Sequence, residues 1–407
     1  MTATRKPGMP FILISVLIDA VSIGIIIPVF PQLIMSMTGC TTAEAAVTNS
    51  WMMFWFALMQ FFMSPVLGSL SDRFGRRPIL LLSIFGFFVD FLILGFAPSI
   101  GWLFAGRIFA GMMGASYTTA MAYTADVTQE ENRSKYFGML GATFGMGFIL
   151  GPGIGALLAQ FGDVRLPFYF CAALSLGNFL YGYFILPESL SIENRRTFEW
   201  IKTNPFSAFK NLTQYKSLGG LFLAYFLLYL AAQSVMTTWQ YYTMARYQWQ
   251  ETDIAISLVV IGLLVALVQG LLVRWVQPKI GIYRTVMVGM VLYIIGFAGY
   301  GLAPTGFWLM MAAMPHCLGG INGPAMQSVM TSQVPLNRQG ELQGTISSLQ
   351  STTAILGPPL MSGLFAEFSQ PTWNLPGAPY LMGSVMILVA LFMALKALKS
   401  IQKNQHA

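Results

Sequence analysis

The sequence predicts an all-α membrane protein of twelve transmembrane helices arranged as two six-helix bundles. Three observations carry that expectation. Hydrophobic residues make up 56% of the 407 positions and charged residues only 9%, where a soluble domain carries about a quarter of its residues as charges. Twelve apolar runs reach the roughly 20 residues needed to cross about 30 Å of hydrocarbon, far beyond the roughly ten-residue alternating strands of an outer-membrane barrel. Glycine landmarks also repeat between the halves: Gly75 and Gly281, Gly138 and Gly344, and Gly151 and Gly357 are each 206 residues apart. This composition excludes a water-soluble globular enzyme and a disordered chain, and three cysteines make no disulfide framework.

Each run has its own justification along the chain. The first, 10–35, follows a short basic start, but it is too long for a signal-peptide core, carries Asp19 and shows no small-residue cleavage site. It is therefore read as a retained helix. The second, 46–69, ends in a polar loop, and the third, 78–97, opens on Pro78, a residue suited to a first helical turn. The fourth, 101–123, carries Arg107; the fifth, 136–160, is glycine-rich; the sixth, 166–186, closes the first half. The longest hydrophilic stretch follows. Beyond it lie runs at 217–243, 253–274, 284–302, 306–330, 340–366 and 377–396. The expected organisation is a bundle at 1–186, a cytoplasmic linker at 187–216 and a second bundle at 217–407.

Loop charge gives the orientation. Of the 22 Lys and Arg residues, nineteen fall on the side that holds both termini. The opposite side holds Arg165 and Arg246, and Arg107 lies inside a run. Both termini are expected in the cytoplasm, and the net charge of +7 is a topology signal rather than a nucleic-acid surface. The shared repeat offset implies two parallel repeats about an axis along the membrane normal. Such an arrangement predicts a substrate site near the midplane, between the halves and open to alternating sides.

The loop after the second run reads Gly68-Ser-Leu-Ser-Asp72-Arg73-Phe-Gly75-Arg76-Arg77-Pro78. Gly75 permits a tight turn there. This order of Gly, Asp and Arg resembles the loop signature of the major facilitator superfamily. The resemblance implies a cytoplasmic latch of Asp72, Arg73, Arg76 and Arg77, with Asp72 facing the start of the eleventh helix near Gly340 and Arg76 paired with Asp126. The counterpart Pro278-Lys279-Ile280-Gly281-Ile282-Tyr283-Arg284 keeps the glycine and lacks the acid. In the fifth run, Gly138, Gly147, Gly151-Pro152 and Gly155-Ala156 form either a generic small-residue packing face or, by resemblance, the superfamily's antiporter motif with Ala156 in place of its last glycine. Glycines permit close helix approach while proline bends the helix.

Ionisable groups at the bilayer centre cost at least about 2.5–3.5 kcal/mol, so Asp19, Asp90, Arg107 and His316 stand out. At 1.5 Å per residue, Arg107 and Asp90 begin about 9 and about 11 Å from the outer surface. Adjoining helices place them within reach, either as a structural ion pair or as part of proton coupling. Asp19 sits near mid-depth and competes for the same guanidinium; a carboxylate there is a candidate proton carrier. His316 is the midplane titratable group of the second half, with a satisfied structural histidine as the bland alternative. Polar stripes at helical spacing, Tyr229-Gln233-Thr237-Gln240 and Gln343-Ser347-Gln350, join His316 and Gln327 as an expected substrate-cavity lining. Trp239, Tyr241 and Tyr242 suit an interfacial belt. The 26 methionines are read mostly as packing.

Within the superfamily, the chain resembles the tetracycline-efflux branch of drug–proton antiporters, most densely from Ala57 to Leu158. That branch has functional carboxylates where this chain has Asp19 and Asp90. It has a histidine in its eighth helix where this chain has Val265, and an aspartate in its ninth where this chain has Tyr293. Together these readings imply a proton-coupled exporter of small amphipathic organic molecules in a bacterial inner membrane, a monomer and not an enzyme. No nucleotide-binding loop or zinc spacing is present, and no cofactor is expected. The alternatives are a carrier for uptake or secretion of a metabolite such as a siderophore, and a transporter-like sensor or structural membrane protein.

Overall fold

Apolar composition over whole helical lengths makes the backbone satisfy its own hydrogen bonds, and helices result. The computed structural model describes residues 8–195, 204, 218–335 and 339–405, with backbone alone at 130–135, 340 and 403–405. The first half forms α1 (Gly8–Thr38), α2 (Thr42–Phe74), α3 (Arg76–Phe96), α4 (Ile100–Met113), α5 (Ser116–Val127), α6 (Glu130–Ala159) and α7 (Leu166–Ile185). The second forms α8 (Gly219–Tyr247), α9 (Glu251–Leu267), a π-helical turn (Val268–Leu272), α10 (Val273–Ile280), α11 (Ile282–Leu302), α12 (Gly306–Gly319), α13 (Asn322–Ser332), α14 (Gln339–Phe368) and α15 (Ala378–Gln405). No strand occurs among the described residues.

Helix covers all twelve predicted runs where they are described, with two corrections to their continuity. The run 101–123 breaks into α4 and α5, and 306–330 breaks into α12 and α13. The breaks fall at Gly114 and Gly320, again 206 residues apart. Gln60 Nε2 donates to the Gly114 carbonyl at 2.9 Å, satisfying a group the break exposes. Among the described residues, nine helices are long and apolar enough to cross a membrane. The two broken runs and α14 fall outside that count; α14 is long, but its polar stripe lowers its hydropathy.

The chain divides into two compact units, one of Met1–Cys40, Trp55–Pro205 and Glu251–Val259, the other of Thr41–Phe54, Phe206–Gln250 and Val260–Ala407. In the first unit α1 packs on α6 and α7, and α3 packs on α4 and α7. Phe11, Ile12, Val16, Leu80, Ile84, Ala120, Tyr123, Leu140 and Leu186 form a buried core there. In the second unit α8 packs on α14 and α15, and α11 packs on α12, α13 and α15. The repeat is visible in the backbone as well. Gly75 (φ 107°, ψ 160°) and Gly281 (φ 80°, ψ 157°) precede α3 and α11 in the same left-handed conformation, which strongly favours glycine.

Arg165, directly before α7, has a structural task. Its Nη1 and Nη2 donate to the carbonyls of Gly95 and Ala97, each at 2.9 Å, capping the open end of α3. Trp239 and Tyr242 correct the belt expectation. Both are 1% exposed, and Tyr241 is fully buried; the Trp239 ring packs on Tyr300 and Tyr380, and the Tyr242 hydroxyl donates to an interior carbonyl. Arg5, Lys6, Arg196, Lys202, Lys210, Lys216 and Arg338 lie outside the described residues, as do most of 187–216 and the side chains of Arg133, Lys135 and Lys403.

Candidate functional site

Asp19 sits on α1 where α6 comes closest. A Cβ on Gly147 would collide with Ala20, one on Gly151 would lie 2.6 Å from the Gly24 Cα, and one on Gly155 would strike the Ile25 carbonyl. The spacing 147, 151, 155 puts all three on one helical face, so α6 rests on α1 along the turns that follow Asp19. Pro152 lies within this contact, its Cδ 3.0 Å from a Cβ placed on Gly24. The Asp19 side chain is half-buried. Ser116, which opens α5, hydrogen-bonds the carboxylate, while the sealed Oδ1 has no partner.

Asp90 and Arg107 form an ion pair across the α3–α4 hairpin. Asp90 is fully buried and the Arg107 side chain is 18% exposed. Gly106 makes room, since a Cβ there would stand 3.0 Å from Asp90 Oδ1. The guanidinium lies over the Phe56 ring at 5.8 Å, a cation–π contact. Asp90 Oδ1 and Arg107 Nε keep unused hydrogen-bonding capacity. The pairing gives Arg107 to Asp90, and Asp19 finds Ser116 instead.

The α2–α3 loop is a dense charged network. Arg76 reaches Asp72 at 2.5 Å, Asp126 through Nε at 3.0 Å and the Ser71 hydroxyl at 2.7 Å. Arg77 Nη2 donates to the Tyr183 carbonyl at 2.6 Å, and Arg73 lies over the Phe74 ring at 5.0 Å. Asp126, at the end of α5, also accepts from Ser189 Oγ at 3.1 Å. Sequence reasoning missed Glu188. Its Oε1 accepts from the amides of Arg76, Ser189 and Leu190 at 2.8, 2.9 and 3.0 Å, and Oε2 from that of Arg77 at 3.3 Å. A carboxylate on the opening amides of α3 satisfies its orphan donors and complements its dipole. The signal available in the sequence was an acid two residues past an apolar run, which resembles any hydrophilic loop.

In the second unit His316 is enclosed by rings of Tyr293, Phe297 and Tyr300, with centroids at 5.3, 5.1 and 5.1 Å. Its Nδ1 is buried without a partner. Gly296 permits this, since a Cβ there would lie 2.6 Å from the His316 backbone. The aromatic cluster continues through Trp239, Tyr242 and Tyr380. The Tyr242 hydroxyl donates to the Tyr300 carbonyl at 2.8 Å. The polar stripes divide. Thr237 and Gln240 are buried, and Gln233 lies where a Cβ on Gly357 would strike it. Gln350 Nε2 donates to the Tyr225 hydroxyl at 2.7 Å. Gln327 Nε2 donates to Gln343 Oε1 at 3.1 Å on the exposed side, and Ser347 is exposed. Among the described residues no group of three His, Cys, Asp or Glu side chains is placed to hold a metal.

A sequence model of the Major Facilitator Superfamily matches residues 12–218 and 221–406. The chain belongs to this superfamily. Two relatives from Escherichia coli are the class C tetracycline resistance protein, 36% identical over 93% of this chain and 94% of its own length, and the class E protein, 34% identical over 93% and 92%. A solved structure, that of the human organic anion transporter MFSD10 (TETRAN), covers 97% of this chain and 100% of its own with a TM-score of 0.73 at 20% identity; this likeness concerns the fold. The protein is thus a multi-pass membrane transporter of the major facilitator superfamily, related to tetracycline resistance proteins. Gly147, Gly151 and Gly155 of α6 lie on α1.

Proposed function

We propose that the protein is a proton-coupled exporter of small amphipathic organic molecules, of the drug-efflux type. In this reading it crosses a bacterial inner membrane twelve times with both termini cytoplasmic. The bundles 1–186 and 217–407 cooperate in alternating access. The relatives' names support the substrate class, while Val265 and Tyr293, in place of the tetracycline branch's histidine and aspartate, argue for a ligand other than tetracycline. They also leave the first half, with Asp19, Asp90 and Arg107, as the seat of coupling, and His316 as the titratable contribution of the second.

The observation that carries the proposal is Asp19: a carboxylate with one sealed, unpartnered oxygen, directly before the turns on which the α6 glycines lie. Protonated, it is a neutral group that packs at small cost. Ionised, it demands donors such as Ser116, because an uncompensated charge in an apolar setting is strongly penalised. A proton therefore changes which packing of α1 against its neighbours is favoured, and differential stability of two states is what shifts an access equilibrium. The latch residues Asp72, Arg73, Arg76, Arg77 and Asp126 would stabilise one of those states. Gln233, Thr237, Gln240, Gln327, Gln343, Ser347 and Gln350 would supply polar contacts to substrate.

The test is transport by the purified protein in proteoliposomes, screened with tetracycline, ethidium and a panel of amphipathic dyes. Accumulation against a gradient that follows an imposed pH difference and collapses with a protonophore is the expected result. Flux of every compound at the rate of protein-free liposomes, in protein shown to be folded, would overturn the proposal.

A further inference from the structure

The break between α4 and α5 is held by a side chain from another helix. The Gly114 amide donates to the Gly111 carbonyl at 3.3 Å. Gly114 (φ −74°, ψ 49°) and Ala115 (φ −112°, ψ 10°) then leave the helical conformation before α5 begins. An unbroken helix would give the Gly114 carbonyl the Thr118 amide as its donor. Here it accepts from Gln60 Nε2 of α2 at 2.9 Å, and a backbone carbonyl inside an apolar span demands such a partner. The fit is close, since a Cβ on Gly114 would stand 2.9 Å from the Gln60 Nε2. A Cβ on Gly111 would strike the Phe56 carbonyl. Phe56 and Gln60, four residues apart, share one face of α2, so the last turn of α4 lies directly on that face.

What the break aims is Ser116. It is the first residue of α5 and is buried, and its hydroxyl bonds the Asp19 carboxylate. Ala115 is fully buried with Leu67 of α2 and Ile79 of α3, which seats the turn on its apolar side while Gln60 holds its polar side. Straightening the break would change the direction in which α5 leaves α4, and Ser116 stands at the first position to move. Other ionisable side chains lie on the helices packed against α1. Arg107 of α4 is paired with Asp90, and Cys171 of α7 donates to the Ser22 carbonyl. Tyr117 of α5 packs on the Phe144 ring and Tyr123 donates to the Pro187 carbonyl, while α6 turns glycines toward α1.

We propose that Gln60 is a positioning residue for proton release at Asp19: by holding the Gly114 carbonyl it keeps the α4–α5 break open and Ser116 turned toward the carboxylate. The proposal rests on the proton-carrier reading of Asp19. When Asp19 gives its proton to solvent, the carboxylate left behind needs a donor already in place, because an uncompensated charge in an apolar setting is strongly penalised. The Ser116 hydroxyl is that donor, and a hydrogen bond to an ionised group is among the stronger ones. Gln60 acts on it through the main chain from Gly114 to Ser116. Without the amide of Gln60 the Gly114 carbonyl is left to the Thr118 amide, the break closes toward continuous helix, and Ser116 withdraws. Asp19 then keeps its proton to higher pH.

The experiment uses the full chain in lipid nanodiscs, with infrared difference spectra recorded across a pH titration. The Asp19 carboxyl band is assigned by its loss in Asp19→Asn. Gln60→Met keeps the length of the side chain and removes its N–H donor; Gln60→Asn, too short to reach Gly114, replaces it if the methionine variant does not fold. Each is combined with Ser116→Ala in a double-mutant cycle. The expected result is that Gln60→Met and Ser116→Ala each move the midpoint of the Asp19 band to higher pH by about one unit. The double variant should move it no further than Ser116→Ala alone, since Gln60 acts through Ser116. Gln60→His, which restores an N–H donor, should bring the midpoint back toward wild type. A wild-type midpoint in folded Gln60→Met, or shifts that simply add in the double variant, would overturn the positioning role. An Asp19 band that does not titrate in the unsubstituted protein would overturn the proton-carrier reading itself, a distinct outcome.

Discussion

Gly151 of α6 rests on Gly24 of α1, so close that a Cβ added to either would lie under 3 Å from the other's Cα. Two glycines facing each other let helix backbones approach as side chains never permit. The consequence is mechanical. A change in packing at Asp19, five residues earlier on α1, as the proposed coupling requires, would reach α6 through backbone contact with no flexible side chain to absorb it.

Gly151→Val should therefore separate α1 from α6 and destabilise the first unit. Overpacking of a close contact typically costs about 1–3 kcal/mol, and here the backbone must move. Gly153→Val on the same helix, where a Cβ meets nothing within 4 Å, serves as the control. Thermal unfolding in detergent should fall for the first and hold for the second. Equal loss at both positions would show that bulk alone, and not the α1 contact, is at fault.

Asp90 and Arg107 should behave as a unit. Removing one partner of a buried pair leaves an uncompensated charge and typically costs about 3–5 kcal/mol, so Asp90→Asn and Arg107→Gln should each unfold well below wild type. The double variant should recover part of the loss. A double-mutant cycle in chemical denaturation reads the coupling directly; additive losses would show that the two groups do not stabilise each other.

Glu188→Ala should expose the opening amides of α3. Hydrogen exchange by mass spectrometry should speed up several-fold for the peptide holding Arg76 and Arg77, and Glu188→Gln should restore protection only in part, since a neutral acceptor bonds an amide more weakly. Unchanged exchange would place the protection elsewhere, for instance in the Arg76–Asp126 contact.

His316→Phe should leave the fold intact, because three rings already surround the site and an unpartnered Nδ1 is lost. Unfolding temperature should hold or rise by the equivalent of about 1 kcal/mol. If His316 contributes to coupling, as proposed, proton-driven accumulation in proteoliposomes should fall while downhill flux persists. Full coupled transport would reduce the residue to packing.

Much of this architecture was legible in the sequence because its causes are local. Hydropathy over about twenty residues marks helices, and Gly75 and Gly281 announced turns that only glycine readily makes. Arg76 and Asp126 came together, but the pairing was inferred from a resemblance and not from spacing. Hydropathy was blind to the breaks at Gly114 and Gly320, which leave apolar content unchanged, and to the π-helical turn at Val268–Leu272. Glu188 was invisible because its meaning lies in amides more than a hundred residues away. Trp239 and Tyr242 read as interfacial by residue type, yet their interior carbonyl and ring partners depend on α11 and α15, which no local pattern encodes.

The most direct test of the central claim is Asp19→Asn in proteoliposomes loaded with a compound the wild type transports. The substitution keeps shape and hydrogen-bonding capacity while removing the exchangeable proton. Loss of accumulation driven by an imposed pH gradient, with downhill flux and substrate counterflow retained, is the expected result. Undiminished pH-driven accumulation by Asp19→Asn would contradict the assignment of proton coupling to this carboxylate.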